Sequence, residues 1–292
     1  DDVQLNAVKF KFASNFGVKV AGQLGNPNKA TLTQLPDEAK ELANLVKIST
    51  TYHKKGLSEA EKDLKNLYPN YILDTELSTL DHVVVKKPSG KVVVAFRGTD
   101  PFAKIKSGLG KGIYEPLMWI PVGMGGENIF KQHQHTDLKN NLLRKYGLQN
   151  IDHITGYSMG GTKAHSLADK LGVNSTLFNP LLGLSFFGTP SSPNANHKII
   201  RNTEDVATTQ ALFTQRGKRL PKNVKVDSID SVVKVKKDVK NLTRGMNDLQ
   251  VFNFLHNHDL EHFTQEGDRD NLARTENEKI ETRLSQFQAD TA

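Results

Sequence analysis

Residues 151–164, IDHITGYSMGGTKA, constrain this chain more than any other stretch. An apolar run, Ile151 to Thr155, leads into Gly156-Tyr-Ser158-Met-Gly160, and Met159 to Leu171 then carries helical spacing closed by Gly172. A G-x-S-x-G run between a strand and a helix has a mechanical meaning. The serine sits on a turn so tight that its backbone is strained, and small residues are needed where strand and helix nearly touch. Such a turn exposes Oγ at the carboxyl edge of a sheet. It also turns the next backbone N–H, that of Met159, toward a developing oxyanion, with the helix dipole behind it. In a chain with 22 glycines the spacing alone says little. The strand before it and the helix after it carry the reading.

The rest of the chain fits a sheet that could hold such a turn. Residues 1–35 read as a polar arm or small edge strands, and residues 36–268 as one α/β domain with a mostly parallel central sheet and helices on both faces. Pro36-Asp37-Glu38 opens a helical pattern that runs to about Tyr52 and stops at Gly56. Ser58 with Glu61 has the spacing of a capping box for a second helix. Strands are expected at Tyr71–Leu73, His82–Lys86, Lys91–Arg97, Ser175–Phe178 and Lys198–Arg201, with a helix over Asp137–Tyr146. KVVVAFR is continuously apolar, as expected of a strand buried on both faces. Residues 227–250 carry Val, Leu and Met spaced by three and four and read as helical, and 269–292 as a polar terminal helix or tail. Strands alternating with helices argue for the α/β class.

A serine nucleophile needs a base, an orienting acid and a second oxyanion donor. In the α/β-hydrolase arrangement the acid follows a later strand and the histidine comes last. Asn202-Thr-Glu204-Asp205 follows the Lys198–Arg201 strand, and Asp205, with the shorter side chain, is preferred over Glu204. Three of the ten histidines come after it, His256, His258 and His262. His153 and His165, which flank the turn, read as structural. Thr99 lies at the carboxyl end of the KVVVAFR strand, where ligand sites form in open α/β sheets.

Four segments together resemble the class 3 lipases, which are α/β-hydrolase enzymes acting on triacylglycerols and phospholipids. They are Val93–Thr99 (VVAFRGT), Ile154–Gly161 (ITGYSMGG), Arg201–Val206 and His258–Phe263 (HDLEHF). They stand in the family's order over roughly residues 70–263, with Tyr157 and Met159 where the family usually has His and Leu. The resemblance implies a triad of Ser158, Asp205 and His258. It implies an oxyanion hole from Thr99 and the Met159 N–H, and no cofactor or metal. Residues 102–135 fall where that family carries a lid, and Met118, Trp119 and Ile120 read as a lid or an acyl-chain wall. The pattern is also similar to compact lipase-like proteins of some phages and large DNA viruses; it assigns no source or location, and secreted and virion-associated settings are both compatible with the sequence.

Charge adds a second expectation. The formal net charge is +7, and residues 214–250 hold ten Lys or Arg against four Asp, a local net of +6. That segment suits peripheral contact with an anionic membrane surface. It contains no aromatic residue, so it offers no stacking platform, and specific nucleic-acid readout is not expected. No run approaches the roughly 20 apolar residues of a membrane span, and Asp1-Asp2 does not open an intact signal peptide. With no cysteine, a thiol nucleophile and disulfides are excluded. Two other functions compete with the hydrolase: a lipase-like scaffold reused for binding, and a metal-dependent hydrolase built on His256, His258 and His262 with Asp248 and Asp259 nearby.

Overall fold

A computed structural model describes residues 30–32, 35–98, 132–180, 192–202, 220–229 and 260–264. These residues form one eight-stranded mixed sheet with helices packed on both faces, an α/β fold. The strands are β1 (Ala30–Leu32), β2 (Ile72–Leu73), β3 (His82–Lys86), β4 (Val92–Phe96), β5 (Ile151–Tyr157), β6 (Ser175–Phe178), β7 (His197–Asn202) and β8 (Val224–Ile229). Across the sheet they run β1-β8-β7-β6-β5-β4-β3-β2. The six strands from β1 to β4 in that order are mutually parallel, and β3 lies antiparallel between β4 and β2.

Alternation along the central strands explains why their sequence reads as continuously apolar. On β4, Val92, Val94 and Phe96 face one layer and Val93 and Ala95 the other, and all five are buried. The first layer holds α3 (Gln132–Tyr146) and α4 (Met159–Leu171), through Leu138, Leu142, Ala164 and Leu167. The second holds α1 (Asp37–Lys55) and α2 (Leu57–Leu67), through Leu42, Leu45, Val46 and Leu64. The short α5 (Glu261–Thr264) packs on this second face, with Phe263 fully buried against Phe178 at a ring separation of 5.1 Å.

Two local expectations are corrected. Ser58 does not cap α2, because Gly56 at φ 91° ends α1 and directly precedes α2, leaving Ser58 inside the helix. Residues 227–229 belong to strand β8 and not to a helix. Val224 and Val226 alternate into the core there, and pairing with β7 on one side and β1 on the other overrides the three-and-four spacing. Residues 30–32 form an edge strand parallel to β8, in keeping with the small edge strands expected within residues 1–35. The terminal segment 269–292 and residues 230–250 lie outside the described residues.

Candidate active site

At the carboxyl end of β5 the chain turns into α4 within one residue. Tyr157 is the last strand residue, Ser158 the turn and Met159 the first residue of the helix. Ser158 adopts φ 55° and ψ −122°, and with Asn179 it is one of two non-glycine residues at positive φ among those described. Such a conformation costs about 1–3 kcal/mol and persists only where the surroundings over-determine it. Here they do. The Ser158 N–H donates to the Phe178 carbonyl at 3.1 Å, and its own carbonyl accepts from the Gly161 N–H at 3.0 Å.

Glycine is demanded on both sides of the serine. A Cβ on Gly156 would lie 2.2 Å from the Gly160 carbonyl oxygen, and one on Gly160 would lie 2.2 Å from the Arg97 carbonyl oxygen. A Cβ on Gly161 would meet Pro180 at 2.7 Å. Helix α4 therefore starts in backbone contact with the ends of both β5 and β4. The Met159 N–H opens the first turn, where no preceding helical turn offers it a carbonyl and the dipole is positive. Ser158 itself is 2% exposed.

The neighbouring strand ends are tied to this turn. Asn179, directly after β6, donates its N–H to the Ile200 carbonyl at 3.0 Å and accepts the Asn202 N–H on Oδ1 at 2.8 Å. Sequence reasoning missed this residue. The available signal was an Asn-Pro pair after a strand, since Asn tolerates left-handed backbone better than most residues.

A charged group also missed from the sequence surrounds the end of β4. The Arg97 guanidinium meets Asp81 at 3.0 Å, donates to the Leu80 carbonyl at 2.6 Å and to the Gly98 carbonyl at 3.1 Å. Asp81 also faces Lys163 of α4 at 3.6 Å. Burial pushes the Lys163 ammonium below its ordinary pKa, and the Asp81 carboxylate works against that shift.

Of the expected site residues, Ser158 and Met159 stand at this edge as described. Thr99, Asp205, His258, Met118, Trp119 and Ile120 lie outside the described residues, as do His256, Asp248, Asp259 and the side chain of His262. The described residues beside three of them are Gly98 after β4, Asn202 at the end of β7, and Leu260 at the start of the α5 segment. Among the described residues no group of three His, Asp or Glu is placed to hold a metal ion, and no helix is long and apolar enough to cross a membrane. Of the basic segment, only residues 220–229 are described, with Lys225 exposed on β8.

The histidines read as structural are indeed packed into the fold. His153 Nε2 lies 2.8 Å from Thr176 Oγ1, and burial lowers its pKa to about 4. His165 meets His197 edge to face at 4.5 Å, and burial, with His197 nearby, lowers it to about 3. His197 in turn hydrogen-bonds Ser175 through Nδ1 at 2.7 Å and turns Nε2 toward Asp169 at 3.9 Å. Ser175 and His197 are the first residues of β6 and β7, so this group sits at the amino edge, opposite Ser158.

No protein-family model matches the chain, and neither a curated protein nor a solved structure gives a significant match to it.

Proposed function

We propose that the protein is a serine ester hydrolase of α/β-hydrolase type, acting on lipid-like acyl esters with Ser158 as nucleophile. One observation carries this reading: Ser158 is held at positive φ between a parallel strand and a helix N-terminus, by contacts that admit only glycine at 156 and 160. A packing serine has no need of that conformation. The strain is repaid when Oγ must stand clear of both strand and helix, with a backbone N–H beside it.

In the reaction, Ser158 Oγ attacks the ester carbonyl while His258 takes its proton. The tetrahedral oxyanion is held by the Met159 N–H and by Thr99. Collapse expels the alcohol, protonated by His258, and leaves an acyl-serine that water hydrolyses by the same steps. Asp205 orients the imidazole. The described anchors support these roles by reach. Thr99 directly follows Gly98 at the end of β4, the strand beside β5. Asp205 is three residues beyond Asn202, a span of at most about 11 Å. His258 is two residues before Leu260, at most about 7 Å away. Leu260 begins the segment whose Phe263 packs on Phe178, and Phe178 is the residue whose carbonyl holds the Ser158 N–H. Met118, Trp119 and Ile120 fit the acyl-chain wall or lid.

The +6 segment suits contact with an anionic lipid surface, and binding to vesicles should then weaken as salt rises. The decisive experiment for the hydrolase reading is covalent labelling by a fluorophosphonate probe. Wild type should label and Ser158→Ala should not; folded wild type that resists the probe and cleaves neither short- nor long-chain esters would refute the reading.

A further inference from the structure

We propose that Arg97, Asp81 and Lys163 form a clamp that fixes the spacing between the two oxyanion donors, making them positioning residues for the hydrolysis proposed above, on which this inference rests. The two donors come from different elements. Thr99 follows the end of β4, and Met159 opens α4. Whatever ties the end of β4 to the first turns of α4 sets the width of the hole between them.

Two links do so. The first is the backbone contact at Gly160, which brings α4 against the Arg97 carbonyl and fixes how closely the two elements approach. A glycine contact resists compression but not sliding. The second link is ionic and resists sliding. Asp81 lies just before β3, which pairs His82 with Phe96, and the Arg97 N–H donates to the Asp81 carbonyl at 3.1 Å, one step beyond the ladder. From there the Asp81 carboxylate reaches Arg97 with one oxygen at 3.0 Å and Lys163 with the other at 3.6 Å. Lys163 is one helical turn beyond Met159. The other arms of the Arg97 guanidinium hold the Leu80 and Gly98 carbonyls, so the residue directly before Thr99 is gripped by the same group.

A stability role alone does not call for this chemistry. The Arg97 and Lys163 side chains are each 14% exposed, so both cations are largely withdrawn from water, which is costly for an ammonium group. Lys163 also sits in the opening turns of a helix, where the dipole opposes a cation. An apolar side chain could fill that space without either penalty. A charged bridge does what an apolar one cannot, because it is directional and couples three elements through one carboxylate.

The test uses the full chain with p-nitrophenyl butyrate and a fluorophosphonate probe. Asp81→Asn is expected to lower kcat roughly 10- to 100-fold through donor misplacement. KM should stay within about twofold, since the interaction lost is one made in the transition state. The rate of phosphonylation at Ser158 should fall in parallel, and Asp81→Glu should recover part of both. Lys163→Met, which keeps the apolar stem, should move kcat in the same direction by less, and it carries the test if Asp81→Asn does not fold. Wild-type kcat in folded Lys163→Met and Asp81→Asn would overturn the clamp. So would a rise in kcat in Asp81→Asn, because that variant leaves two cations unopposed and a pure field effect would favour the oxyanion. If wild type neither labels nor hydrolyses, the hydrolase reading fails, a result distinct from normal wild-type turnover with silent clamp variants.

Discussion

Two serines of this sheet invite comparison, Ser158 at the carboxyl edge of β5 and Ser175 at the amino edge of β6. By residue type Ser175 looks the better equipped. It has a histidine at 2.7 Å and, beyond that ring, an aspartate at 3.9 Å. Burial does not separate the two, since Ser158 is 2% exposed and Ser175 1%. Backbone does. Ser175 lies in a regular strand and spends its hydroxyl on the first shared polar contact between β6 and β7. His197 gives Nδ1 to that contact and is itself 1% exposed, so its ring is committed to the core. Ser158 is held in a conformation that serves no packing purpose, at a helix N-terminus, with neighbours that exclude any side chain. A serine, a histidine and an acid in proximity do not make a hydrolase; a strained turn beside a source of N–H donors is the more informative feature.

The comparison can be broken most forcefully by removing each hydroxyl in turn. Ser158→Ala should reduce ester turnover by roughly 10⁴- to 10⁶-fold. Ser175→Ala should leave turnover essentially unchanged and lower unfolding free energy by about 1–3 kcal/mol, from the buried His197 partner it abandons. Hydrolysis rates and denaturant melts on the two variants separate the roles.

Gly160→Ala sharpens the argument about backbone. Its Cβ would lie 2.2 Å from the Arg97 carbonyl oxygen, a rigid backbone atom that cannot step aside. A loss of about 3 kcal/mol or more is expected by chemical denaturation, at the upper end of overpacking effects.

The buried histidines should announce themselves in acid. Burial holds the pKa of His165 at about 3 and those of His82 and His153 at about 4, and lowers that of His197. Unfolded, each takes a proton near pH 6.5. The unfolded chain therefore binds more protons as pH falls below 6.5, and stability is lost from there down toward pH 4. The slope is about 1 kcal/mol per pH unit for each such histidine. His165→Leu should flatten the pH dependence of the melting temperature over that range while leaving ester turnover at neutral pH near wild type.

The smallest effect belongs to β8. Lys225 stands directly across from Lys198 on β7, both exposed and of like charge. Lys225→Glu should stabilise the protein by a few tenths of a kcal/mol. It should weaken salt-sensitive binding to anionic vesicles, measured by co-sedimentation.

What was legible in the sequence follows from how local each constraint is. The elbow could be read because strand, turn and helix are contiguous and their contact leaves its record in three glycines within six residues. The KVVVAFR strand could be read because burial on both faces removes polar residues altogether. Residues 30–32 and 227–229 could not be paired from sequence. Their partners are nearly 200 positions apart, and Ile229 at the end of β8 also opens the three-and-four spacing of the residues after it. Ser58 failed as a cap for the opposite reason, because a local signal was overruled by Gly56 ending one helix where the next begins. At the site, Asp81 and Lys163 carried no signal, since a lone acid before a strand and a lysine in a helix are among the commonest residues in any chain. Only the fold shows that Asp81 joins Lys163 to Arg97.

Mapping the phosphonylated residue tests the central claim most directly. After reaction of the folded wild-type protein with a fluorophosphonate, peptide mass spectrometry should find a single adduct, on Ser158 in the GYSMGG peptide, at a rate that falls as the base becomes protonated in mild acid. An adduct on Ser175 or another serine, or none from a protein that hydrolyses esters, would contradict the account.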